Sequence, residues 1–177
     1  MRELGDAERF VVWSFRRWVL GLRQNDGGHW DFVWHEFEKQ LGADDGKLAL
    51  ASFARLVGSL QCHARRPICH HQPCCACLGT DEVWLVCVVA ACQLRRERLA
   101  GDLIAWIVAP EGAETLLEAG LRLGELMRGH ALHVPLRVGR APSGRHAPWA
   151  EMSAPPRFYP DAANPKGVAA AVSRATS

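Results

Sequence analysis

Between Cys62 and Cys77 the chain places five cysteines and three histidines: Cys62, His63, Cys69, His70, His71, Cys74, Cys75 and Cys77. Thiolate sulfur and imidazole nitrogen are the donors zinc prefers, and four of them close a tetrahedral structural site. Cys75-Ala76-Cys77 is one close pair, and Cys69 with His71 is a second. The pattern predicts a zinc ion held by Cys69, His71, Cys75 and Cys77. Cys62, His63 or His70 could stand in for an upstream ligand, and Cys74 for a downstream one. The spacing matches no regular zinc-finger pattern such as two CxxC pairs, so it points to a metal without fixing the type of site.

Other chemistries suit the same donors less well or equally loosely. Copper(I) and a metal-free redox thiol site remain open. Adjacent Cys74-Cys75 is awkward for an iron–sulfur cluster. A lone cysteine would be read as a small packing residue, but eight donors in one loop outweigh that reading. The chain has seven cysteines, an odd and clustered set, which favours metal or reactive thiols over a disulfide framework. Cys87 and Cys92 sit apart from the loop in an apolar run and are expected to be packing residues.

The elements that must position this loop read as helices almost throughout. Asp6 can cap a first helix to about Leu22, with Val11, Phe15, Trp18 and Leu22 as its apolar stripe and Arg16, Arg17 and Arg23 off it. Asn25-Asp26-Gly27-Gly28 is a turn. A second helix starts near Asp31 and stops at Gly42, and a third runs from about Lys47 to Ala64. The loop follows, from Arg65 to Gly79. Thr80 then offers an N-cap, and Asp81 and Glu82 complement the dipole of the next helix. That dipole should also favour thiolate at Cys75 and Cys77. The helix carries Val83–Cys92 with no charge on any face, so it should be central and buried. A short helix around Leu103–Val108 and a last one over about Ala113–Gly129 complete the expected set.

The fold class is therefore all-α: a compact bundle of five or six helices with a Cys/His-rich loop. Residues 1–136 form the helical domain with the metal-binding loop at 62–79, and 137–177 form an irregular tail rich in Pro, Ala and Arg. At 177 residues and 49% apolar content the chain can bury a core without help from metal or disulfides.

The charge of +2 argues against wholesale nucleic-acid binding. From residue 137 onward six basic residues face two acidic ones, a local excess of four, which is modest. Arginine far outnumbers lysine, and Ala, Leu and Gly are heavily used, a composition expected of a GC-rich bacterial genome. No targeting segment is visible, and the longest apolar run is too short to span a bilayer, so a reducing cytoplasm is expected. There is no P-loop, no HExxH and no Ser-His-Asp arrangement. The reading is a zinc-binding interaction or regulatory module with a protein partner. The alternative is a metal-dependent or thiol-redox enzyme or sensor that uses the same loop.

Overall fold

The computed structural model describes residues 4–137. They form six helices: α1 (Asp6–Gln24), α2 (Gly28–Leu41), α3 (Ala43–His63), α4 (Thr80–Gln93), α5 (Glu97–Ile107) and α6 (Pro110–Gly129). Among the described residues there is no strand, only an isolated bridge between Ala64 and Val108. The all-α bundle with a Cys/His loop is thus the observed architecture. Of the irregular tail expected over 137–177, Arg137 is described and pairs with the buried Glu8; the rest lies outside the described residues.

Local chemistry sets the helix ends. Asn25 takes a left-handed conformation (φ 51°) to close α1, a role asparagine fills at low cost. Gly42 sits at φ 74° between α2 and α3, where a side chain would be strained. Pro110 occupies the first turn of α6, where a missing N–H costs nothing. Every start differs from expectation; α2, α3 and α6 begin three or four residues early, at Gly28, Ala43 and Pro110. Asp6 and Thr80 are the first residues of their helices, and Gly5 and Gly79 precede them as caps. Glu8 and Glu82 reach back to those glycine N–H groups at 2.9 and 2.7 Å. The carboxylate three residues into the helix does the work expected of the hydroxyl or carboxylate at its start. The fifth helix begins at Glu97 rather than near Leu103, because Leu99 and Ala100 also turn toward the core.

α4 lies at the centre, as its uniformly apolar sequence requires. Val86, Val88, Val89, Ala90 and Ala91 are all fully buried. Each buried valine contributes roughly 1.5–3 kcal/mol relative to exposure. α6 crosses α4 closely because it presents glycine there. A Cβ at Gly120 would lie 2.8 Å from Cys92 Sγ, and one at Gly124 would lie 2.7 Å from the Gln93 backbone nitrogen. These glycines, unfavourable for an isolated helix, are the contact that seats α6. At the end of α4 the Gln93 amide donates to the Leu132 carbonyl and accepts from the Val134 N–H, tying down the chain after α6.

An aromatic cluster of Phe10, Trp18, Trp30, Phe37 and Phe53 joins α1, α2 and α3. The loop that follows α3 starts from a stitched edge. Arg65 N–H donates to the Ile107 carbonyl and Ala109 N–H to the His63 carbonyl, both at 2.8 Å. The loop therefore leaves beside the end of α5 and enters the N-terminus of α4.

Candidate functional site

Two buried carboxylates at the start of α4 organise the loop. Glu82 is fully buried. One of its oxygens accepts from Arg16 Nε at 2.6 Å and from the His71 N–H at 2.9 Å. The other accepts from Arg16 Nη2 at 2.8 Å and from the Gly79 N–H. Arg16, itself only 3% exposed, also donates to the carbonyls of Gln72, Cys75 and Cys77 at 3.2, 2.6 and 2.5 Å. A single guanidinium on α1 thus spans a carboxylate on α4 and three carbonyls of the loop. Its planar fork of five N–H donors makes that possible.

Asp81 does the parallel task one residue earlier. It is paired bidentately with Arg66 at 2.8 and 2.6 Å and accepts the Cys69 N–H at 2.8 Å. Thus the backbones of Cys69, His71, Cys75 and Cys77 are all fixed by adjoining ion pairs. Arg16 was expected on the polar side of α1, and Asp81 and Glu82 as simple dipole partners. All three are buried. Sequence periodicity could not find them, because an arginine off the apolar stripe is ordinarily solvated.

Electrostatics follow from this geometry. Burial pushes the Glu82 carboxyl up, but the Arg16 hydrogen bonds and the N–H groups of Gly79 and His71 outweigh it and hold the group below its usual range. The Arg66 guanidinium is raised by its bond to Asp81. Cys77 corrects the expectation of a dipole-lowered thiol. Its hydrogen bond and like charge with Cys75 raise it, and the opposing pull of Arg16 is smaller. The Gly79 N–H, at the cap of the helix, is spent on Glu82.

The side chains of the expected ligands are distributed as follows. Cys69 and Cys77 are exposed, and His71 and Cys75 are half-buried. Cys75 Sγ accepts the Cys77 N–H at 3.4 Å, so this pair is together. The His71 ring lies against Gly79, 3.6 Å from where a Cβ would stand. Among the described residues no three His, Cys, Asp or Glu side chains are drawn together around one point. The structure gathers the four backbones at one helix end and keeps Cys75 and Cys77 together, but among the described residues it draws no third donor to that pair.

Of the alternative donors, His63 packs on Gly112 of α6, within 2.7 Å of a Cβ placed there. His70 turns inward, edge-on to Phe15 at 6.1 Å between ring centroids. Cys62 and Cys74 are exposed. Cys87 and Cys92 are buried packing residues, and burial pushes the Cys92 thiol up to about 12. An open cleft borders the loop, lined by Phe10, Trp13, Arg16, Glu36, Pro73 and Cys75.

Compared with models of known families, with curated proteins and with solved structures, the chain gives no match. The described helices include none long and apolar enough to cross a membrane.

Proposed function

We propose that this protein binds a zinc ion through Cys69, His71, Cys75 and Cys77, and that the loaded loop is an interaction or regulatory surface for a protein partner in a reducing cytoplasm. One observation carries the reading. The backbones of all four residues are pinned to one helix end by the Arg16–Glu82 and Arg66–Asp81 pairs, while the thiols are left accessible. Ion pairs that have already ordered the loop lower the entropy cost of closing a site. Rotation of the side chains among their staggered states is then the remaining adjustment.

Zinc fits the donor set because three thiolates and one imidazole make a closed four-coordinate structural site. A closed site leaves no position for substrate, which favours an interaction role over catalysis. The binding of zinc displaces the thiol protons, so affinity should rise with pH. The test is elemental analysis of protein purified without added metal, together with a count of reactive thiols. One zinc per chain, with three of the loop thiols protected, is the expected result. Protein that carries no metal and takes up none on titration would refute the proposal.

A further inference from the structure

We infer that Cys75 and Cys77 also form a redox pair, which a small disulfide such as oxidised glutathione converts to one disulfide within the loop. The dithiol chemistry stands on the metal-free loop. Only its consequence, the withdrawal of two donors from zinc, rests on the reading above.

The geometry is specific to this pair. The Cys77 N–H reaches Cys75 Sγ at 3.4 Å, so the turn at Ala76 already folds the first side chain back toward the second residue. Arg16 holds the carbonyls of both residues, which fixes their relative backbone positions. Both sulfurs can be reached: Cys77 is exposed, and Cys75 is half-buried on the wall of the open cleft. The other cysteines lack this combination. Cys87 and Cys92 are sealed in the core. Cys74 is exposed but adjoins Cys75, and a disulfide between neighbouring residues must distort the peptide bond that joins them.

The exchange proceeds in two balanced steps. The more exposed Cys77 thiol loses its proton and attacks one sulfur of the oxidant. The oxidant's S–S bond breaks, one half departs and takes up a proton, and the other half stays on Cys77 as a mixed disulfide. Cys75 then loses its proton and attacks the Cys77 sulfur, which expels the second half as a thiol. Two protein S–H bonds have become one S–S bond, and the oxidant has been reduced to two thiols. In the oxidised loop neither sulfur is a thiolate, so zinc loses two of four ligands. Its affinity should fall by at least about tenfold, the lower end of what even an outer-sphere change costs.

The test treats the full chain, stripped with a chelator, with oxidised glutathione and maps its peptides by mass. The expected product is a peptide containing Cys75 and Cys77 that has lost two hydrogens and retains no adduct. Cys75→Ser should stop at the first step, with one glutathione on Cys77. Two free thiols after treatment, or a disulfide from either residue to Cys69 or Cys74, overturns the inference. Zinc titration before and after oxidation separates the two readings. Zinc uptake with thiols that resist the oxidant ends the redox pair and leaves the metal site. A clean Cys75–Cys77 disulfide in a chain that never takes up zinc ends the metal site and leaves the redox pair.

Discussion

At the end of α4, Cys92 is sealed against Gly120, whose missing side chain leaves room for its sulfur. Ahead of the start of the same helix, Cys77 stands in solvent on a loop held by Arg16 and Glu82. The first end is built by close packing on the glycines of α6. The second is built by buried charge and leaves its thiols uncovered. Residue type alone does not separate the two cysteines, but the surroundings do. Burial drives the Cys92 proton beyond reach, whereas Cys77 answers chiefly to its neighbour Cys75. The comparison teaches that one end of the helix closes on the core and the other keeps its thiols accessible, with the Arg16–Glu82 pair as the joint between them.

The comparison is broken most severely by placing a charge in the apolar half. Val89 is completely buried, so Val89→Asp should cost at least about 4 kcal/mol, because no partner is there to compensate it. Loss of the cooperative thermal transition is the readout. Near-normal melting would mean that α4 is not the core.

The joint comes next. Glu82→Ala leaves Arg16 buried and unpaired, and breaking such a pair costs about 3–5 kcal/mol. Acid does the same work reversibly. The folded carboxyl is held below the ordinary value of 4.5, so its stabilisation is fully present above 4.5 and is lost as pH falls through the lower folded value. Protection from hydrogen exchange at the His71 and Gly79 N–H groups, both bound to Glu82, should therefore fall in acid before that of the helices. Equal sensitivity across α4 would show that the joint has no local role.

A smaller effect is expected at the packed end. Gly124→Ala forces a methyl group against the Gln93 backbone and should cost about 1–3 kcal/mol. A neutral result would mean that α6 can slide away from α4. The smallest effect belongs to the loop thiols. Removal of metal should raise proteolysis within 65–79 and leave helical circular dichroism intact. The change should be milder than that of Glu82→Ala, since the ion pairs still hold the backbone. Collapse of the helices on chelation would show that the core depends on the metal.

Much of this was legible in the sequence, for particular reasons. Val83–Cys92 has no polar face, so its central place followed directly, and in the stripe of α1 the residues Val11, Phe15 and Trp18 are core residues that the structure buries. The glycines of α6 are unfavourable for an isolated helix, whereas in the fold they are what lets α4 approach. Arg16 was not legible. Its burial depends on a carboxylate 66 residues away and on carbonyls of the loop, and no local pattern encodes such a partnership. The density of donors in the loop was plain from composition. Their orientations were not, because rotamers of exposed side chains are set by whatever they bind. The divergence of His70 toward Phe15 and of His71 toward Gly79 is a tertiary fact of that kind.

The central claim is that the pinned loop closes on zinc with Cys69, His71, Cys75 and Cys77. X-ray absorption at the zinc edge counts those donors directly. The account predicts three sulfurs at about 2.3 Å and one nitrogen at about 2.0–2.1 Å, with the sulfur shell falling to one in the Cys75→Ser/Cys77→Ser double variant or the ion lost altogether. A shell of nitrogen and oxygen alone, or three sulfurs that survive the double change, would contradict it.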